Sequence, residues 1–197
     1  MNLPNKLTRA RILLVPVFMV FAGMALPGSG ANSIVWYLVA GVVFAAASFT
    51  DFLDGYLARK WHMVTDFGKF ADPLADKLLT TVAFLYMLVA GVCSPVVLAI
   101  ILAREFAVSG VRMLAAGQNR VVAANGWGKA KTVLQMVTIL VYYFGTYIER
   151  ACFGSLGVSV DLTQIVSYLL CWLVALITLI SGAIYLWQNR DCFMNAK

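Results

Sequence analysis

The chain has 197 residues, of which 62% are hydrophobic and only 12% charged, with a mean hydropathy of +0.86. Such a length permits one domain, residues 1–197, and such a composition excludes an ordinary soluble globule. The formal charge is +6, but the basic residues stand at the ends of apolar runs rather than in one aromatic-interleaved patch. That distribution argues against nucleic acid and for membrane lipids and phosphorylated substrates as partners.

Apolar runs extend approximately over Ile12–Leu26, Ser33–Phe49, Leu74–Val92, Pro95–Ala116, Val133–Ile148 and Leu162–Trp187. They are too continuous for the alternating strands of a barrel, so the expected fold is all-α, a polytopic membrane protein with about six transmembrane helices. Several runs fall short of the roughly 20 residues needed to cross a hydrocarbon core of about 30 Å. The helices are therefore expected to continue into the polar residues that flank them. Lys6, Arg9 and Arg11 ahead of the first run mimic a signal peptide, yet Pro16 interrupts that run, and no cleavage is expected.

The connections Pro27–Asn32 and Gly91–Ser94 carry no charge, whereas the N-terminal segment, Asp51–Lys77, Arg112–Lys131 and the tail after Gln188 hold every Lys and Arg except Arg104 and Arg150. Because Lys and Arg are retained on the cytoplasmic side, both termini are expected there. The four cysteines, Cys93, Cys152, Cys171 and Cys192, form no CxxC pair and read as inert thiols.

In chain order, the first polar group is Asn5, Thr8 and Arg11, which recur at intervals of three and could share one helical face at the membrane surface. A capped interfacial helix would explain them equally well. The densest group follows the second run, where Asp51 and Asp54 stand at i, i+3 and Asp72 and Asp76 at i, i+4, so that each pair shares a helix face. The residues between Arg59 and Gly68 suffice for a turn that would bring the two acidic faces together. Carboxylates gathered in this way repel one another unless neutralised, and hard divalent cations such as Mg²⁺ or Mn²⁺ do this through oxygen. With no cysteine in the group and only His62 nearby, zinc is a poor fit. Gly55 and Gly68 leave room beside the acids for a bulky ligand, and Arg59 offers a fork for phosphate.

Further along, Arg104 and Glu105 interrupt the fourth apolar run, and intramembrane ionisable groups face an interior or a watery cavity. Glu105, Ser109 and Arg112 fall on one face. Structural pairing and substrate contact are equally good readings of Arg104 and Glu105, while Arg112, nearer the membrane surface, suits a phosphate. At the start of the fifth helix, Lys129, Lys131 and Thr132 stand where unpaired amides also attract anions, although flanking lysines are ordinary there.

The segment from Asp51 to Asp76 resembles the signature of the CDP-alcohol phosphatidyltransferase family, D-x2-D-G-x2-A-R-x8-G-x3-D-x3-D, which Asp51, Asp54, Gly55, Ala58, Arg59, Gly68, Asp72 and Asp76 match completely. PNKLTRARILLVP from Pro4, REFAVSGVR from Arg104 and WGKAKT from Trp127 resemble segments of the family's bacterial phosphatidylglycerophosphate synthases, less specifically. The resemblance implies two Mg²⁺ or Mn²⁺ ions held by Asp51, Asp54, Asp72 and Asp76, with Asp76 also the general base. It implies a CDP-diacylglycerol site that includes Asn5, Thr8, Gly55, Arg59, Thr65 and Gly68. With Arg11, Arg112, Lys129 and Lys131 left for the phosphate of the acceptor, the expected reaction joins glycerol 3-phosphate to the phosphatidyl group and releases CMP. The location is expected to be the bacterial inner membrane with the active site facing the cytoplasm, in keeping with the charge distribution, and a homodimer is implied by the resemblance alone. The same chemistry with inositol, serine or phosphatidylglycerol is a close alternative, and a membrane cation transporter is the alternative from another class.

Overall fold

The structure is a computed structural model describing residues 3–26, 34–61, 66–117, 126–153 and 162–190, with side chains described at 13–26, 34–50, 77–115, 126, 128–153 and 162–190. Six helices fill these segments: α1 (Leu3–Ala25), α2 (Val35–Trp61), α3 (Asp66–Val89), α4 (Pro95–Gly117), α5 (Gly126–Phe153) and α6 (Leu162–Gln188). No strand occurs among the described residues. Each apolar run seeds one helix, and the helices outrun them as expected. Thus α2 continues past Phe49 to Trp61, α3 begins at Asp66 rather than Leu74, and α5 begins at Gly126 rather than Val133.

With 23 to 28 residues each, the helices are about 35 to 42 Å long. Among the described residues only α6, whose most apolar window has a mean hydropathy of 2.4, is long and apolar enough throughout to cross a membrane. Elsewhere the apolar stretches are shorter, at Leu13–Ala25, Val35–Thr50 and Lys77–Val89. Polar motif residues occupy the remainder of those helices.

The helices close into a ring, in which α1 packs on α2, α2 on α5, α5 on α6, α6 on α4, α4 on α3 and α3 back on α1; α3 also touches α5 and α2. Aromatic side chains fill its heart. The fully buried Phe18 of α1 meets Phe44 of α2 at 5.8 Å, Tyr86 of α3 at 6.3 Å and Tyr143 of α5 at 5.6 Å between ring centres. These tilted and edge-on contacts favour the aromatic quadrupole over face-to-face stacking. The outside of the ring is as apolar as its core: Phe106, Val89, Leu13 and Phe49 are 73%, 70%, 68% and 61% exposed. Inside are polar side chains, among them the buried Lys131, Gln135, Thr138, Thr178 and Ser181. Water would not favour such a distribution, and hydrocarbon would.

Successive helices run antiparallel. Phe21 near the end of α1 stacks on Trp36 at the start of α2, with ring centres 5.6 Å apart, and the Arg150 guanidinium near the end of α5 lies 4.8 Å over the Tyr37 ring. The Glu149 carboxylate of α5 accepts hydrogen bonds from the amides of Leu162 and Thr163 at 2.8 and 3.0 Å, capping α6. Between α3 and α4 the chain reverses through Gly91, whose φ of 77° is a left-handed helix terminus, while the amides of Val92 and Cys93 bond back to the Met87 carbonyl. Ser94 Oγ then accepts from the Val96 amide, with Pro95 opening α4. The opposite end of the ring accordingly gathers the start of α1, the end of α2, the start of α3, the end of α4, the start of α5 and the end of α6.

Candidate active site

Apart from Thr65, the residues expected to do chemistry stand on helical backbone at that one end. Asp51, Asp54, Gly55 and Arg59 lie on the last turns of α2, and Gly68, Asp72 and Asp76 on the first turns of α3, so the i, i+3 and i, i+4 pairs fall on helical backbone as their spacing requires. Asn5, Thr8 and Arg11 lie on the first turns of α1. The side chains of all these residues, and Thr65 altogether, lie outside the described residues. The oxygen-rich donor set suits hard cations, and no other group of His, Cys, Asp or Glu among the described residues could hold a metal.

Directly after Asp76 stands Lys77, the first described side chain of α3, and it opens onto a charged cluster between the helices. At its centre is Glu105 of α4, with 14% of its side chain exposed. Glu105 Oε1 accepts hydrogen bonds from Lys131 Nζ of α5 and, at 3.3 Å, from Arg104 Nη1. Glu105 Oε2 pairs with Lys77 Nζ at 3.6 Å, and Lys77 also donates to Ser109 Oγ, one turn along α4. One carboxylate thus ties cations from three helices. Lys131 is the most enclosed of them, only 5% exposed, and a charge so placed needs such a partner, since removing one member of a buried pair costs about 3–5 kcal/mol.

Arg104 reaches across the ring. Its stem passes Gly182 of α6, and its Nη2 lies 3.5 Å from where a methyl group on Gly128 of α5 would stand. Its Nε is buried without a hydrogen-bond partner among the described residues, as are Thr178 Oγ1 and Tyr185 Oη of α6.

The three described cations assigned to an acceptor phosphate are differently disposed. Lys131 is buried on Glu105, Lys129 is exposed, and Arg112 is exposed with its guanidinium 6.0 Å from the Tyr185 ring centre. Because α5 begins at Gly126, the amides left without helical partners are those of Gly126–Lys129, while Lys131 and Thr132 stand a turn further in. Thr132 Oγ1 donates instead to the Gly128 carbonyl at 3.1 Å. Arg104 and Glu105, for which pairing and substrate contact were equal readings, are paired. Lys77 carries no signal in the sequence reading; Glu105 and Ser109, which share a face of α4, both meet it.

Comparison with known proteins places the chain in a family. The sequence model of the CDP-alcohol phosphatidyltransferase family matches residues 1–187. The chain is 46% identical over 145 residues to a protein of Bacillus subtilis (strain 168), covering 70% of this chain and 74% of the relative. It is 36% identical over 184 residues to a protein of Rickettsia bellii (strain RML369-C), covering 93% of each. A Haemophilus influenzae relative is 33% identical over 170 residues, covering 82% of this chain and 87% of its own length. All three relatives carry the name CDP-diacylglycerol–glycerol-3-phosphate 3-phosphatidyltransferase.

Proposed function

The chain belongs to the CDP-alcohol phosphatidyltransferase family, and from that premise we propose that it transfers the phosphatidyl group of CDP-diacylglycerol to glycerol 3-phosphate. The products are phosphatidylglycerol phosphate and CMP. The observation that carries this reading is the name shared by relatives that span the chain almost end to end, and the complete motif from Asp51 to Asp76 supports it. Family membership displaces the cation transporter, which would not require Gly55, Ala58, Arg59 and Gly68 among the acids.

Dependence on a divalent metal is general to the family, and the carboxylates of Asp51, Asp54, Asp72 and Asp76 are the donors that would hold two Mg²⁺ or Mn²⁺ ions. Such ions would supply neutralisation of the pyrophosphate and of the charge on departing CMP. Asp76 takes the proton from the primary hydroxyl of the acceptor as that oxygen bonds to the β-phosphorus and the phosphorus–oxygen bond to CMP breaks. Asn5, Thr8, Gly55, Arg59, Thr65 and Gly68 hold the CDP-lipid. Arg11, Arg112, Lys129 and Lys131 receive the acceptor's phosphate, and holding it directs the hydroxyl at the reacting phosphorus.

The apolar exterior of the ring supports a single domain embedded in a membrane through six helices, and the distribution of Lys and Arg supports the inner membrane with the aspartate end and both termini cytoplasmic. A homodimer belongs to the same proposal. The test is CMP release from CDP-diacylglycerol by the purified protein in Mg²⁺, offered glycerol 3-phosphate, glycerol, inositol, serine and phosphatidylglycerol in turn. Glycerol 3-phosphate should be the best acceptor by a wide margin. Equal turnover with another alcohol overturns the acceptor, and no CMP with any of them overturns the transferase.

A further inference from the structure

Glu105 is the one carboxylate among the described residues to which side chains of three helices are tied: Lys77 from α3, Arg104 from its own α4 and Lys131 from α5. Already engaged by three cations, it is poorly placed to act as a base. Two of those cations are lysines, whose flexible stems carry high rotamer entropy and whose ammonium groups repel one another. Lys77 follows Asp76 directly, so the cluster adjoins the residue assigned as proton acceptor. A neutral side chain in place of Glu105 would leave Lys77, Arg104 and Lys131 facing one another, the last two largely shielded from water, where repulsion is strong.

Arg104 holds the carboxylate through Oε1, the oxygen that Lys131 also bonds. Its stem is confined by Gly182, and its tip reaches the start of α5 beside Gly128. The guanidinium's Nε, buried without a partner among the described residues, leaves donor capacity in the same cluster.

We propose that Glu105 is a positioning residue for the acceptor's phosphate: it holds the ammonium groups of Lys131 and Lys77 together where glycerol 3-phosphate is received. This inference rests on the reading of the acceptor as a phosphate monoester. Held in place, the two lysines meet the phosphate without first being gathered against their own repulsion, so the benefit appears in acceptor binding. CDP-lipid binding, assigned to α1, α2 and the start of α3, does not depend on it.

The test is steady-state kinetics of Glu105→Gln, Lys131→Met and the double variant, each varied separately in glycerol 3-phosphate and in CDP-diacylglycerol. Glu105→Gln keeps the side chain's shape and removes its charge. Its KM for glycerol 3-phosphate should rise about tenfold or more, with the KM for CDP-diacylglycerol within about twofold of the parent protein's. The double variant should be no worse than the poorer single one, because Glu105 acts through Lys131. An unchanged acceptor KM, equal rises in both KM values, or losses that multiply in the double variant would each overturn the assignment. Should Glu105→Gln fail to fold, Glu105→Asp provides the same readout: an acceptor KM between those of the parent and Lys131→Met supports the role, and a parent-like value overturns it. A parent protein that uses glycerol as well as glycerol 3-phosphate refutes both this inference and the acceptor reading. A parent that prefers glycerol 3-phosphate, with a variant of unchanged acceptor KM, refutes the inference alone.

Discussion

The stem of Arg104 lies against the α-carbon of Gly182, so closely that a methyl group there would stand 2.9 Å from Arg104 Cγ. Alanine normally gains up to about 1 kcal/mol over glycine inside a helix, but overpacking costs about 1–3 kcal/mol. Gly182→Ala should therefore lower stability by about 1 kcal/mol, seen as a drop of about 2–4 °C in Tm. Gly110→Ala, where nothing among the described residues stands within 4 Å, should raise Tm instead. Thermal unfolding of the two variants in the same detergent checks the opposite signs; a gain at Gly182 would mean that Arg104 moves aside freely.

At the other end of the ring, Glu149 accepts from two amides that open α6. Glu149→Ala leaves those amides uncapped and removes a negative charge from the helix's positive end, a loss of about 0.5–2 kcal/mol. The expected result is a lower Tm with CMP release unchanged at temperatures where the variant is folded. A loss of turnover in the folded variant would place Glu149 in the chemistry rather than in the cap.

Asp51→Asn, Asp72→Asn and Asp76→Asn should each abolish CMP release while the protein still inserts and elutes from size exclusion like its parent. Amides are isosteric with the carboxylates but bind Mg²⁺ poorly and accept no proton. Near-normal turnover in Mg²⁺ by any of the three would remove that residue from the proposed metal and base assignments.

Arg112 is exposed beside the Tyr185 ring, placed to reach an anion from the aqueous side. Arg112→Ala should raise the KM for glycerol 3-phosphate by roughly ten- to hundredfold, the worth of one charge-assisted contact, with little change in the KM for CDP-diacylglycerol. A fall in kcat at constant KM would instead assign it to the transition state.

The orientation is checked by single-cysteine labelling in a background without the four native cysteines. Labels at Ser29 and Ser94 should react with an impermeant reagent added outside, and labels at Met63 and Gln118 should not. The reverse pattern would put the aspartate end of the ring on the outer face.

Much of this was legible from sequence because it depends on near neighbours in the chain. Helices declare themselves through continuous apolar runs, and the i, i+3 and i, i+4 spacing of Asp51, Asp54, Asp72 and Asp76 follows from helical geometry once those runs are extended. The position of Lys131 is equally plain in the sequence, but its partner is not. Lys131 meets Glu105 across 26 residues, and Lys77 meets Ser109 across 32. Which face of α4 turns toward α3 and α5 depends on how six helices close into a ring, and an apolar exterior suited to lipid gives little sequence contrast between faces. Local periodicity alone thus determined the helices and the acidic motif. Only tertiary packing decided that Glu105 gathers Lys77 and Lys131 from other helices beside its neighbour Arg104, because buried charges depend on such partners.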